Sequence, residues 1–281
     1  MQYVYSPVRA FLIHALNEDI GNGDITTGFI IPVNHVSEAI ILAKEDFILS
    51  GLRFAKEVFN ITDSAILFKE SMPDGNPVKQ GEVIATLKGP TAGLLTGERL
   101  ALNILQRLSG ISTLTRSFVK LIKDTGARIV DTRKTTPNMR YLEKYAVRAG
   151  GGHNHRFGLY DGILIKDNHI MAAGGIKNAV ESVRKKAHHL MKIEVEVKNI
   201  EELTEALHTG VDIIMLDNMS VELMKEAVRI THKHSPPPLI EASGGVNINT
   251  VREIALTGVD LISIGALTHS ASSVDISMKI I

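Results

Sequence analysis

In the second half of the chain, charged or glycine-flanked residues recur at the ends of short apolar runs. DTRKTTP sets Arg133 and Lys134 side by side, and GGHNHRFGL carries His153, His155 and Arg156 in a glycine-rich stretch. Later runs end on Lys166, Glu196, Asp217, Ser243-Gly244-Gly245 and Gly265. These residue types divide into two chemistries. Arg offers a planar fork for carboxylate or phosphate and Lys a point charge, so the early group suits an anionic substrate. Glu196 and Asp217 could hold a hydrated Mg²⁺ that bridges phosphate oxygens. The Ser-Gly-Gly and Ser-Ile-Gly ends supply backbone N–H groups of the kind that bind phosphate late in α/β barrels. Together they describe an anionic substrate beside a phosphorylated, metal-chelated one.

Taken singly, each residue has a plainer reading. Asp131 and Arg133 could form a structural ion pair, and His153 and His155 could be a metal pair or ordinary loop residues. Glu194 shares a strand face with Glu196, and either could serve as a salt-bridge partner for a helix. Gly-Gly pairs also mark simple turns. The completeness of the set points to chemistry, because a structural barrel would leave most charge on its outer helices.

Six nearly continuous Val/Ile/Leu runs must carry these residues: Arg128–Thr132, Gly162–Lys166, Lys192–Val197, Asp212–Asp217, Leu239–Ser243 and Leu261–Gly265. Such runs suit parallel strands buried on both faces. Helical faces separate them. Ile176, Val180, Val183 and Ala187 share one face, and Asn199 with Glu202 forms a capping box ahead of a helix that Gly210 stops. TEALHTGVDIIMLD and REIALTGVDLISIG echo one another as repeated helix-to-strand units. Six repeats admit a barrel or an open doubly wound sheet.

Before residue 111 the pattern changes to short strands joined by Gly/Pro turns, with helices near Arg9–Leu16 and Gly51–Phe59. Thr91–Ser109 reads as a helix ended by Gly110, and Leu114, Phe118, Leu121 and Ile122 as a further helical face ended by Gly126. The expected fold is α/β: an incomplete barrel of about six or seven parallel strands plus an N-terminal α+β sandwich-like domain. The expected domains are 1–110, joined by 270–281, and 111–269.

The chain has 281 residues, with 31 Lys+Arg against 31 Asp+Glu and no Cys. Zero net charge argues against a bulk nucleic-acid or membrane-surface binder, and the missing Cys excludes disulfides, thiolate metal sites and thiol nucleophiles. No apolar run approaches the ~18–20 residues of a bilayer span, and no basic segment leads an apolar one at the N-terminus, so a cytoplasmic location is expected.

The segments EDIGNGDITT, GERLALNILQRLSGIST, Asp131–His169, IEVEV, IIMLDN, EASGGV and SIGALTHS run through nearly the whole chain. In that order they make the sequence resemble the quinolinate phosphoribosyltransferase family, the decarboxylating nicotinate-nucleotide pyrophosphorylases of de novo NAD synthesis. Asn138 departs from the family's frequent Gly, at a position expected only to tolerate a helix start. The resemblance implies phosphoribosyl transfer from phosphoribosyl pyrophosphate (PRPP) to quinolinate, giving nicotinate mononucleotide, pyrophosphate and CO₂, with Mg²⁺ accompanying PRPP. It implies that Arg133, His155, Arg156 and Lys166 surround the quinolinate carboxylates, and that Arg99 reaches into the neighbouring subunit's site. That makes a homodimer necessary and is compatible with a hexamer of such dimers.

Glu196 and Asp217 would take the ribose hydroxyls and Mg²⁺. Ser243, Gly244, Gly245, Gly265 and His269 would hold the 5′-phosphate of PRPP. Lys134 and Lys166 could serve either substrate, so the implied catalytic set is Lys134, Lys166, Glu196 and Asp217. Three other readings compete. A molybdenum-transport-associated paralogue would share fold and motif order but not function. A metal-dependent barrel hydrolase would use His153, His155 and a modified Lys166, yet needs further His at later strand ends. A non-catalytic barrel leaves the charged rim unexplained.

Overall fold

The computed structural model describes residues 6–281, and the chain divides into two compact units. The first comprises residues up to Arg116 with Thr136–Gly151 and Ser270–Ile281. The second comprises Ser117–Thr135 and Gly152–His269. The expected division at 110/111 differs from this one, since residues 111–116 and 136–151 go with the first unit.

In the first unit the strands Val36–Ala43 (β1), Leu67–Glu70 (β3), Val83–Pro90 (β5) and Ile276–Ile280 (β12) form an antiparallel sheet in the order β12-β1-β5-β3. Phe47–Ile48 (β2) pairs with Pro77–Val78 (β4) in a separate ribbon. The helices are Ser6–Ile20 (α1), Ile25–Ile30 (α2), Leu52–Thr62 (α3), most of Thr91–Leu121 (α4) and Arg140–Ala149 (α5). Leu52, Phe54, Ala55, Val58 and Phe59 make the buried stripe of α3, at the spacing an amphipathic helix requires. The Phe54 ring packs edge-on against Tyr145 of α5 at 5.2 Å between centroids.

The expected stop at Gly110 is not observed: α4 runs unbroken for 31 residues through that glycine. Its reason for being there is contact. A Cβ at Gly110 would lie 1.9 Å from the Ser272 carbonyl oxygen, so only glycine lets the C-terminal segment lie against the helix. One turn earlier, the Arg107 guanidinium donates to the Ala271 carbonyl at 2.7 Å and to the Glu143 carboxylate at 2.9 Å. Glu143 is fully buried and also accepts from the backbone and hydroxyl of Thr136 at 3.0 and 2.8 Å. Its charge is thus paired and hydrogen-bonded, which is how a buried carboxylate is tolerated. Asn138 has φ +63°, in the left-handed region. The position therefore asks for Gly or Asn because of its backbone, and the expectation of a mere helix start is corrected.

In the second unit six parallel strands run Arg128–Val130 (β6), Ile163–Ile165 (β7), Ile193–Val197 (β8), Ile213–Asp217 (β9), Leu239–Ser243 (β10) and Leu261–Ser263 (β11). Their order, β6-β11-β10-β9-β8-β7, is sequential once the sheet curls round. A parallel bridge from Val130 to His153 adds a seventh position beside β6. Among the described residues there is no ladder between that position and β7, so the barrel is incomplete. Asp167–Ala173 (α6), Ile176–Arg184 (α7), Ile200–Thr209 (α8), Val221–Thr231 (α9), Val251–Ala255 (α10) and Ala266–His269 (α11) connect the strands. Asn199 caps α8 by accepting the Glu202 N–H, and Gly210 ends it at φ +65°. Among the described residues no helix is long and apolar enough to cross a membrane.

Gly110→Ala tests the account of α4. Helix propensity alone favours alanine by about 1 kcal/mol, whereas overpacking costs about 1–3 kcal/mol or more. Chemical denaturation followed by circular dichroism is expected to show a lowered midpoint. A raised midpoint would mean that Ser272 does not press on the helix.

Candidate active site

Strand alternation builds the site. On β8, β9 and β10 the pairs Glu194/Glu196, Met215/Asp217 and Glu241/Ser243 share one face, because side chains alternate with period two. Val195, Val197, Ile214, Leu216, Ile240 and Ala242 occupy the opposite face and are buried. Of the first set, all but Glu194 line a cavity of about 730 Å³ at the carboxyl ends of the strands. This is the end at which α/β barrels place their chemistry.

Every residue that the family resemblance assigns to the site, except Arg99, lines this cavity. Arg99 is an exposed residue of α4 in the first unit. His153 is also absent from the lining, its backbone being spent on the bridge to β6. Glu241 and Asn218 line the cavity as well, and neither was singled out in the sequence.

The cationic wall rests on a loop tied down by Asp131. This buried carboxylate accepts from the Asn154 amide at 2.7 Å and the His155 N–H at 2.8 Å. Arg156 follows, its guanidinium donating through Nη1 to the Gly162 carbonyl at 3.0 Å, while its buried Nε has no partner among the described residues. Burial, and then the charge of Arg133, draw the Arg156 guanidinium below its usual pKa, with Glu194 and Asp161 opposing them.

Opposite stand carboxylates. The Lys166 ammonium donates to Glu196, whose side chain is buried. Asp217 accepts the amide of Asn218 at 2.9 Å. Asn218 has φ +54°, and a Cβ at Gly244 would lie 2.2 Å from its Oδ1. Gly244 itself has φ +93°, so both its backbone and the close amide require glycine. At the last strand end a Cβ on Gly265 would lie 2.9 Å from Lys134 Cδ and 3.1 Å from His269 Nε2. Glycine there lets two cation-capable side chains meet over a bare backbone.

Two carboxylate groups could take a cation. Glu196 and Asp217 offer hard oxygen donors at the rim. Deeper, one donor atom each from His155, Glu194 and Glu241 lie within 4.8 Å of one another. In that lower group His155 Nε2 is 3.0 Å from Glu194 Oε2 and 3.7 Å from Glu241 Oε2. Burial first, and then the charge of Glu194, push the Glu241 carboxyl up to about 7. The sequence signal for Glu241 was a lone acid in the middle of the apolar run LIEAS. It is weak, because alternation does not say which face looks inward.

Comparison with known proteins agrees with this architecture. Residues 24–109 match the N-terminal domain model of quinolinate phosphoribosyl transferase, and residues 111–279 match its C-terminal domain model. The chain is 47% identical over 273 residues to a probable nicotinate-nucleotide pyrophosphorylase [carboxylating] of Bacillus subtilis, covering 97% of this chain and 93% of the relative. It is 42% identical over 282 residues to quinolinate phosphoribosyltransferase [decarboxylating] 1b of Nicotiana tabacum, covering 95% and 80%. Among solved structures, the nicotinate-nucleotide pyrophosphorylase of Francisella tularensis superposes with a TM-score of 0.93 at 41% identity, covering 99% of this chain and 98% of that one. With both domain models matched in order and relatives this similar along nearly its whole length, the chain belongs to the quinolinate phosphoribosyltransferase family.

Proposed function

We propose that the cavity is where quinolinate takes a phosphoribosyl group from PRPP and loses CO₂, yielding nicotinate mononucleotide and pyrophosphate. Membership of the family makes the chain a pentosyltransferase of NAD synthesis. The observation that carries the placement is the division of one rim into cations on β6 and the following loop, and carboxylates on β8 and β9.

Arg133, Arg156 and Lys166 face the two carboxylates of quinolinate, and His155 lines the same wall behind them. The unpartnered Arg156 Nε supports this, since a buried guanidinium donor left without an acceptor is costly. Glu196 and Asp217 take the ribose hydroxyls of PRPP. Ser243, Gly244 and Gly245 bind its 5′-phosphate together with Gly265 and His269, where positive φ at both Gly244 and Gly245 leaves backbone N–H groups without flanking side chains. Lys134, packed on Gly265, lies between the two sets.

Mg²⁺ fits this donor set. Two carboxylates of hard oxygens suit an ion that keeps most of its waters, and each retains lone pairs beyond those given to Lys166 and Asn218. Bound there through Glu196 and Asp217, it would neutralise charge on the departing pyrophosphate.

The protein's own residues position and balance charge. The pyridine nitrogen attacks C1 of the ribose while the bond from C1 to pyrophosphate breaks, and the electron pair leaves on oxygen. Positive charge develops at C1, and Glu196 and Asp217 stabilise it electrostatically. The ring nitrogen, now cationic, draws the electron pair from the bond between C2 and its carboxylate. CO₂ leaves and C2 takes a proton. No step demands a general base.

Arg99 is not among the residues that line this cavity, and the part proposed for it is in the site of a second copy. The active unit is then a homodimer sharing Arg99, open to further assembly into a hexamer, in the cytoplasm.

Purified protein given quinolinate, PRPP and Mg²⁺ is expected to form nicotinate mononucleotide, read by mass. Absence of product where both substrates bind would falsify the reading. Arg99→Ala and Arg133→Ala subunits are each expected to be inactive. Mixed, they should recover about a quarter of wild-type activity, because random pairing leaves one intact site in half the dimers. No recovery after confirmed subunit exchange would remove Arg99 from the partner's site. Lys166→Ala is expected to lower kcat/KM by roughly 100-fold, the scale of losing one aligned charge at a reacting centre. Steady-state kinetics varying each substrate in turn measures the loss, and a near-wild-type value would place Lys166 outside the chemistry.

A further inference from the structure

Glu241 stands where a core residue would be expected. It is fully buried at the middle of β10, on the inward face one row below Ser243, and neither carboxylate oxygen has a hydrogen bond of good geometry among the described residues, although the Ser263 hydroxyl is near enough to ease its charge. Its neighbour Glu194 is nearly as buried, with one oxygen likewise unpartnered and the other 3.0 Å from His155 Nε2. The Glu241 Oε2 lies 3.7 Å from the same nitrogen. Two carboxylates therefore converge on one N–H.

The second ring nitrogen is also engaged. His155 Nδ1 accepts the Arg156 backbone N–H at 2.8 Å, which places the ring proton on Nε2, toward the carboxylates. The imidazole is thus a strut between an acidic floor and the backbone from which the Arg156 side chain departs. Arg133 and Arg156 repel one another across the wall, and Glu194 is among the charges that oppose this. A chain selected for stability alone would fill the Glu241 position with an apolar side chain, since a buried carboxylate held only by a loose contact to one imidazole destabilises the fold.

We propose that Glu241, with Glu194, is a positioning residue for dicarboxylate binding: the pair fixes the His155 ring and, through it, the place of Arg156 in the cationic wall. This rests on the proposed assignment of that wall to quinolinate. The burial of Glu241 at the centre of the barrel, with the Glu194 charge beside it, accounts for its raised pKa.

The sign of one substitution separates this role from simpler ones. By Coulomb's law alone, removing a carboxylate beneath an anion site tightens anion binding. Removing a positioning residue loosens it. Glu241→Gln, which keeps volume and deletes charge, is expected to raise the thermal midpoint or leave it unchanged. In the same protein quinolinate affinity, by calorimetry, and kcat/KM for quinolinate should each fall at least ten-fold. The KM for PRPP should stay within two-fold of wild type, and Glu241→Asp should recover part of the loss. Quinolinate affinity equal to or tighter than wild type in Glu241→Gln overturns the proposal. So does a lowered midpoint with both KM values unchanged, which marks a merely structural residue. Wild-type protein that turns over no quinolinate would instead overturn the assignment of the wall.

Discussion

A parallel strand buried on both faces has to send every second side chain inward, and in a curled sheet those side chains all meet. That alternation is the constraint on which the rest of this molecule depends. Val195 and Val197, Ile214 and Leu216, and Ile240 and Ala242 satisfy the helices outside, which leaves Glu194 and Glu196, Met215 and Asp217, and Glu241 and Ser243 to the interior. Shifting any of these strands by one residue would bury valine or isoleucine in the cavity and drive carboxylates under the helices. Hydrophobic burial on the outer face thus holds the register that polar chemistry on the inner face requires.

Charge is the second constraint, and it follows from the first. The chain is neutral, but seven Lys/Arg against three Asp/Glu fall between Asp131 and Lys166, and seven Asp/Glu against one Lys between Ile193 and Asp217. Of these, Arg133, Lys134, Arg156 and Lys166 line one cavity together with Glu196 and Asp217, while Arg140, Lys144 and Arg148 lie on α5 of the first unit. Each charge taken from water then needs a partner. Lys166 finds Glu196, and Asp131 finds backbone and amide donors. Glu241 has no hydrogen bond of good geometry and Arg156 Nε has no partner among the described residues, and both side chains line the cavity.

The first unit shows the same logic applied to structure rather than chemistry. Glu143 is as buried as Glu241, yet it is surrounded by Arg107 and two groups of Thr136. A satisfied buried carboxylate locks a fold; an unsatisfied one costs stability and asks for another explanation. The contrast between the two glutamates within one chain is what makes the Glu241 position informative.

Much of this was legible in the sequence. The β-branched runs fixed six strands to within two or three residues, because burial on both faces leaves an unmistakable composition. Their polar ends, with the loop that carries His155 and Arg156, named most of the charged side chains and the glycines that line the cavity. What the sequence could not supply was anything that depends on a distant backbone. Gly110 reads as a helix stop until the Ser272 carbonyl is seen pressed against it, and Asn138 reads as a helix start until its φ of +63° is known. Gly244 reads as a turn, although the Asn218 amide is the atom that excludes a side chain. Glu241 reads as an ordinary strand residue, since an isolated acid carries no mark of which face it takes or what lies across from it. Composition and periodicity are local, and they determined the elements and the kinds of charge at their ends. Close approach, pairing and orphaned polar atoms are relations between residues far apart in the chain, and only the tertiary structure decided them.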